Sequence, residues 1–89
     1  MRRAKVDQNQ KELVEYARNL GATVTHLHNV HGGVPDILIG YKGFNYLAEI
    51  KNEKGKLNEL QVKWFNSWGG QAQVVRTKED INELLKIGV

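Results

Sequence analysis

The chain has 89 residues and a net charge of +3, and it contains no cysteine. This length fits a single domain over residues 1–89, which buries only about 60–65% of its surface on folding. Without cysteine, disulfide frameworks and thiolate metal sites are excluded. No apolar run approaches the roughly 20 residues of a membrane span and no signal region is recognisable, so we expect an intracellular protein without a membrane partner. The basic charge favours a polyanionic partner without requiring one.

The chain begins with a basic segment and continues into a helix. Arg2, Arg3 and Lys5 form a basic arm over residues 1–6, which we predict to be mobile and either solvated or in contact with phosphate. Asp7 and Gln10 have the spacing of a helix capping box. The pattern that follows predicts a helix over residues 8–20, ended by a glycine.

The two sides of this first helix differ in chemistry. Asn9 and Gln10 lie one turn before the apolar stripe and are expected to face inward, whereas Glu12 and Glu15 are expected to face solvent. The stripe itself comprises Leu13, Val14, Ala17 and Leu20.

Residues 22–30 are rich in valine, threonine and histidine, which predicts a strand. The residues expected to alternate onto one of its faces are Val24, His26, His28 and Val30. Two histidines do not complete a zinc site and no cysteine is present, so an ordinary strand is favoured over zinc binding. His28 or His31, close to the following glycines, could instead contact a phosphate.

Two short strands carry charges that a buried strand seldom has. A strand over residues 36–39 begins with Asp36 and is predicted to turn through a loop of three to five residues into a strand over residues 44–51. Glu49 and Lys51 interrupt the end of the second strand. Because side chains alternate along a strand, these two side chains are expected to share a face.

The next segment is a polar loop that leads into a helix. Lys54 and Lys56 lie in the loop, and Asn58 with Gln61 has capping-box spacing for a second helix. Glycines 69 and 70 are predicted to stop this helix. Its aromatic face comprises Trp64, Phe65 and Trp68, which are typical of a core or dimer interface, with a base-stacking platform as the alternative.

The last elements are a strand over residues 73–76 and a helix capped by Thr77 and Asp80. The buried stripe of this helix is predicted to comprise Ile81, Leu84 and Leu85. The element order is therefore α-β-β-β-α-β-α, which indicates an α/β fold with a small mixed sheet flanked by helices.

Asp36, Glu49 and Lys51 together suggest metal-dependent phosphodiester chemistry. Magnesium prefers oxygen ligands, commonly one or two carboxylates with waters and phosphate. A lysine on the same face would lie beside the attacking water or the scissile phosphate. The alternative is an ion pair between Glu49 and Lys51 on a solvated sheet face.

Several segments resemble the VRR-NUC (virus-type replication-repair nuclease) domains of the PD-(D/E)XK superfamily, in particular small phage-encoded, stand-alone members. The segments are Gly33-Val34-Pro35-Asp36-Ile37-Leu38-Ile39, Leu47-Ala48-Glu49-Ile50-Lys51, Leu57 through Gln61, Asp7-x-Asn9-Gln10 and Gly70-x-x-Gln73-Val74-Val75. The resemblance covers nearly the whole chain and implies a restriction-endonuclease-like core.

The resemblance also implies roles for individual residues. Asp36, Glu49 and the main-chain carbonyl of Ile50 would bind Mg²⁺, with Mn²⁺ able to replace it. Lys51 would be the catalytic lysine and Gln61 a functional residue, although the capping box alone could explain Gln61. Many superfamily members use a glutamate from the first helix. Since the inward positions here hold Asn9 and Gln10, we expect these two to support the site, for example through water.

The function implied is a homodimeric, structure-selective endonuclease for branched DNA, similar to Holliday-junction resolvases and acting in DNA repair. It would need no small-molecule cofactor and, if phage-encoded, would work in the host cytoplasm. The alternatives are a less selective nicking or flap nuclease, a non-catalytic DNA-binding module with the same fold, and a structural protein. The candidate DNA contacts are Arg2, Arg3, Lys5, His31, Lys54 and Lys56.

Overall fold

A computed structural model describes residues 8–88. The elements are α1 (Gln8–Asn19), β1 (Thr23–His26), β2 (Ile37–Tyr41), β3 (Phe44–Ile50), α2 (Glu59–Ser67), β4 (Ala72–Val75) and α3 (Lys78–Leu84). This order confirms the predicted one. The basic arm and the predicted cap at Asp7 lie outside the described residues. Within residues 8–88, no helix has the length and apolar character needed to cross a membrane.

The four strands form one mixed sheet in the order β1-β2-β3-β4. The first three strands are antiparallel neighbours, and β4 is parallel to β3. A parallel neighbour needs a crossover connection, and the segment containing α2 supplies it. The ends of β3 and β4 therefore emerge side by side, where Lys51 N donates a hydrogen bond to Val75 O at 3.1 Å.

The β2–β3 hairpin has a tighter turn than predicted. Tyr41 pairs with Phe44, which leaves a loop of only Lys42 and Gly43. Both loop residues have positive φ angles, 50° and 87°. Two successive residues of this kind match the right-handed twist of the strands that they join. The predicted loop of three to five residues was wrong because β2 continues through Gly40 and Tyr41.

Other element boundaries also differ from the prediction. β1 ends at His26, because the chain turns at His28 and Val30 N donates a hydrogen bond back to Leu27 O at 2.9 Å. The predicted alternation therefore applies to Val24 and His26 only. β4 begins and ends one residue earlier than predicted. α2 ends at Ser67, before the glycines, because its C-cap residue Trp68 is already extended (φ −76°, ψ 129°).

The hydrophobic core lies on the side of the sheet that α1 and α3 cover, which we call the core face. Its buried residues are Leu13, Val14, Ala17, Ala22, Ile37, Ile39, Tyr46, Ala48, Ile50, Val75, Ile81, Leu84 and Leu85. The predicted apolar stripe of α1 is buried except for Leu20, which is partly exposed, and that of α3 is fully buried. Thr77 and Asp80 form the predicted capping box of α3.

The opposite side of the sheet, which we call the α2 face, is covered less completely. In β3, Leu47 and Glu49 alternate with the core residues Tyr46, Ala48 and Ile50 and therefore point to this side. The helix that lies there, α2, has the predicted cap at residue 58 but contains no buried residue. The carboxylate of Glu49 therefore lies on the α2 face, on the opposite side of the sheet from the hydrophobic core.

Candidate active site

The strand register brings the two predicted carboxylates together. Ile37 pairs with Ala48, so the next position places Asp36 opposite Glu49 at the point where β2 begins. Directly opposite residues of an antiparallel pair share a face. Asp36 Oδ2 accepts a hydrogen bond from Ile50 N at 2.8 Å, which fixes this carboxylate against β3.

Glu49 is the one charged residue that is buried among residues 8–88, with 2% of its surface exposed. Its Oε2 atom accepts a hydrogen bond from Gln61 Nε2 at 3.0 Å, whereas Oε1 has no hydrogen-bond partner. Burial and the nearby charge of Asp36 raise the pKa of Glu49 to about 7, against the opposing effect of Lys51. An oxygen of this kind is costly to bury unless a ligand or cation completes its contacts.

Lys51 lies on the same face as Glu49, as predicted. Its Nζ atom is 3.6 Å from Glu49 Oε2. The alternative of an ion pair on a solvated face does not fit, because the Glu49 side chain is only 3% exposed and that of Lys51 only 20%. Instead, Glu49 is buried and Lys51 lies beside it at the edge of the candidate site.

Gln61 forms the predicted capping box and also contacts the candidate site. Its Oε1 atom accepts a hydrogen bond from Asn58 N at 2.9 Å, and Asn58 Oδ1 accepts one from Gln61 N at the same distance. Because the capping box occupies the amide oxygen of Gln61, the amide nitrogen is directed to Glu49. The same side-chain amide therefore caps α2 through its oxygen and contacts Glu49 through its nitrogen.

The two residues predicted to support the site from α1 are placed differently from each other. Asn9 Nδ2 donates hydrogen bonds to Lys51 O at 2.9 Å and to Arg76 O at 3.3 Å. These bonds tie α1 to the adjacent ends of β3 and β4, directly behind Lys51. Gln10 Nε2 lies 3.4 Å from His26 Nδ1, so the side chain of Gln10 contacts β1.

Arg76, which the sequence did not mark as part of the site, contacts the loop that follows Lys51. Its Nη1 atom donates hydrogen bonds to Asn52 O at 2.7 Å and to Gly55 O at 2.6 Å. These bonds close the loop that follows Lys51 onto the end of β4. The sequence held little sign of this contact, because the acceptors are main-chain carbonyls more than 20 residues earlier. An arginine at the end of a predicted strand was the available signal.

The candidate DNA contacts lie at the surface where they are described. Lys54 and Lys56 are exposed in the loop that Arg76 closes, and His31 is exposed in the loop before Asp36. The remaining candidates, in the basic arm, lie outside the described residues.

The aromatic residues of α2 contact one another. The Trp64 and Trp68 rings stack with centroids 4.8 Å apart and an interplanar angle of 18°. Phe65 contacts Trp64 edge-on at 5.2 Å. Trp64 and Phe65 are partly buried, but Trp68 is 46% exposed. This cluster is therefore not part of the hydrophobic core.

The residues present fit a divalent cation held by few protein ligands. Residues 8–88 contain no group of three or more histidine, cysteine, aspartate or glutamate side chains that could hold a metal ion. Magnesium sites need only one or two carboxylates, because waters and phosphate complete the coordination. Asp36 and Glu49 provide two, one of them with the unpartnered Oε1 atom. A cation would also relieve the repulsion between the two carboxylates.

Comparison with known proteins gives a match at the level of structure. No protein-family model and no curated protein matches the sequence. A solved structure named "VRR_NUC domain" superimposes with a TM-score of 0.73 and is 24% identical in sequence. The match covers 92% of this chain and 95% of that one. The chain therefore has the fold of a VRR-NUC domain.

Proposed function

We propose that the chain is a metal-dependent DNA endonuclease of the PD-(D/E)XK type. The observation that carries the proposal is a buried glutamate with an unpartnered oxygen, placed opposite Asp36 and beside Lys51. A group of this kind destabilises the fold, and such perturbed groups cluster at functional sites. The VRR-NUC fold supports the same conclusion.

Asp36, Glu49 and the main-chain carbonyl of Ile50 would hold Mg²⁺, or Mn²⁺ in its place. When bound, the ion neutralises phosphate charge and acidifies water. Asp36 is fixed for this role by the hydrogen bond from Ile50 N. Gln61 fixes Glu49 by donating to Oε2, which leaves Oε1 available to a ligand.

Lys51 supplies positive charge at the position where a phosphodiester would approach the carboxylates. Its role in the proposal is to stabilise negative charge that develops on the phosphate during hydrolysis. The hydrogen bond from Asn9 to Lys51 O and the loop closed by Arg76 hold the main chain around this lysine. Such preorganisation matters because small displacements of a catalytic group reduce rates strongly.

The proposed substrate is branched DNA, and the proposed assembly is a homodimer similar to a Holliday-junction resolvase. Large apolar side chains remain exposed on and near α2, namely Phe44, Leu60, Val62 and Trp68. Burial against a second copy would remove this surface from water and stabilise a small domain. A two-fold axis would present two sites to paired strands. Lys54, Lys56, His31 and the basic arm would contact backbone phosphates.

The test is cleavage of a four-way junction and of a linear duplex of the same sequence, with and without Mg²⁺. We expect nicking of the junction only with Mg²⁺ or Mn²⁺. Asp36→Asn should lower the rate by about 100-fold or more while DNA binding persists. Glu53→Gln, a change at an exposed carboxylate in the loop after Lys51, is the control and should leave the rate unchanged.

The other outcomes separate the alternatives. No metal-dependent nicking of either substrate would contradict the enzyme proposal, and binding without cleavage would identify a DNA-binding module. Equal cutting of both substrates would identify a less selective nicking or flap nuclease. If salt-sensitive DNA binding were also absent, a structural protein would remain.

A further inference from the structure

α2 is attached to the sheet by few contacts, so whatever fixes its first turn also sets the position of Gln61. The helix contributes no buried residue, and Leu60 in its first turn is 54% exposed. The capping box is local to residues 58–61 and does not connect α2 to the sheet. Besides the hydrogen bond from Gln61 to Glu49, the position of the first turn depends on the other segments that it contacts.

Gly33 is such a neighbour. A Cβ atom at this residue would lie 2.6 Å from the Leu60 carbonyl oxygen and 3.2 Å from Gln61 N. Both atoms belong to the main chain, so no side-chain rotation could make room for it. A glycine is the residue that permits two backbone segments to approach this closely.

The same approach connects two parts of the candidate site. Gly33 lies three residues before Asp36, in the loop that leads into β2. On its other side it contacts the turn from which Gln61 donates to Glu49 at 3.0 Å. One short loop thus leads to Asp36 and contacts the turn that carries the donor to Glu49.

We propose that Gly33 is a positioning residue, which docks the first turn of α2 so that the Gln61 amide reaches Glu49. Its effect on catalysis rests on the proposed nuclease function, whereas its effect on Gln61 does not. A methyl group at residue 33 would push the first turn of α2 away and lengthen or break the hydrogen bond between Gln61 and Glu49. The core would remain, because α2 contributes no buried residue to it.

The chain offers a matched control in the preceding residue. Gly32 and Gly33 have similar positive φ angles, 90° and 83°, so alanine is strained at both. A Cβ atom at Gly32, however, would meet no atom within 4 Å. Comparison of Gly32→Ala with Gly33→Ala therefore isolates the contact with α2 from the effect of the backbone angle.

The experiment uses the metal-free and DNA-free chain first. The side-chain amide signal of Gln61 in a ¹⁵N–¹H spectrum, assigned by its loss in Gln61→Met, should shift in Gly33→Ala toward its position in Glu49→Ala. It should stay in place in Gly32→Ala. An unshifted signal in Gly33→Ala would overturn the proposal. So would a Gly33→Ala chain without a folded core, since the contact would then support the core rather than α2.

Cleavage provides the second measurement. With a junction substrate and Mg²⁺, Gly33→Ala should lower kcat by about 10-fold or more with KM within about twofold, while Gly32→Ala stays near the parent. The double variant Gly33→Ala/Gln61→Met should be no slower than Gln61→Met alone, because both changes remove one interaction. If the loss of rate in the double variant equalled the product of the two single losses, the proposal would be overturned. If the parent does not cleave DNA, the proposed function fails and the Gln61 signal still decides the role of Gly33.

Discussion

The two faces of the sheet differ in what they bury. On the core face, Ile37, Ile39 and Ala48 are fully buried beneath α1 and α3. On the α2 face, the neighbouring residues Leu38 and Leu47 are partly exposed, and the fully covered group is the carboxylate of Glu49. Along one strand, alternate residues thus belong to the hydrophobic core and to the α2 face, which carries the polar site.

This difference shows how a small domain can separate stability from chemistry. The apolar residues that drive folding lie on the core face, where burial is favourable at about 25 cal/mol per Å². The carboxylate of Glu49, whose pKa is raised by burial and which opposes folding when it is ionised, lies on the other side. Changes on the two faces should therefore have separable effects on stability and on activity.

The largest contrast is expected between two adjacent residues of β2. Ile37→Ala should lower the free energy of unfolding by about 2–5 kcal/mol, because it opens a cavity among fully buried side chains. Leu38→Ala, on the α2 face, should cost less than about 1.5 kcal/mol. Urea unfolding of both variants measures the difference. Equal losses would show that the α2 face is packed as tightly as the core.

The next effect concerns pH and Glu49. Between pH 4.5 and about 7, the folded chain retains the proton of Glu49 that the unfolded chain has lost, because the pKa of Glu49 is raised to about 7 on folding. Without divalent ions, stability should therefore fall as pH rises through this window, by on the order of 2–3 kcal/mol. Unfolding by urea at a series of pH values with a chelator present measures it.

Two variants and the addition of Mg²⁺ test whether Glu49 causes this dependence of stability on pH. The glutamine of Glu49→Gln stays neutral, so this variant should not show the fall in stability that Glu49 causes as pH rises. Glu15→Gln, on the exposed side of α1, should still show it. At pH 8, Mg²⁺ should raise the unfolding midpoint of the parent and not that of Glu49→Gln, since a bound ion stabilises the folded state alone. If Mg²⁺ did not change the unfolding midpoint of the parent chain, the proposed metal ligands would be contradicted.

The sequence predicted the core face and the main groups of the site for reasons that are local. Helical and strand periodicity identified the stripes of α1 and α3 and the shared face of Glu49 and Lys51. Capping boxes identified the starts of α2 and α3. These signals depend on residues within one or two turns of each other, so no tertiary information was needed.

What the sequence could not predict depends on contacts to main-chain atoms that are distant in the sequence. The bonds of Arg76 and the close approach of Gly33 to α2 join segments that only the complete fold brings together. The burial of Glu49 has the same origin. An acidic residue in a strand is equally compatible with a solvated ion pair, and the burial of the side chain in the complete fold distinguishes the two.

A smaller effect on stability is expected from Arg76. Arg76→Met removes the hydrogen bonds to Asn52 O and Gly55 O and should cost about 1 kcal/mol, because the loop can still be hydrated. Hydrogen exchange at the Gly55 amide, which is bonded to Asn52 O, should become faster. Lys78→Met removes an exposed cation from the start of α3 and is the control. An unchanged exchange rate in Arg76→Met would show that the turn over residues 52–55 is stable without the arginine.

The smallest change in monomer stability is expected at the exposed end of the α2 face. Trp68 and Phe44 are 46% and 58% exposed and line one groove with Leu38 and Leu47. Replacing Phe44 with serine should alter the free energy of unfolding of the monomer by less than about 0.5 kcal/mol. The same change should weaken self-association measured by sedimentation equilibrium, because it removes apolar area from the proposed dimer surface. Val30→Ser, at another exposed apolar residue, should leave association unchanged. A parent chain that stays monomeric would remove the dimer from the proposal and leave the groups around Glu49 as a site that works in one copy.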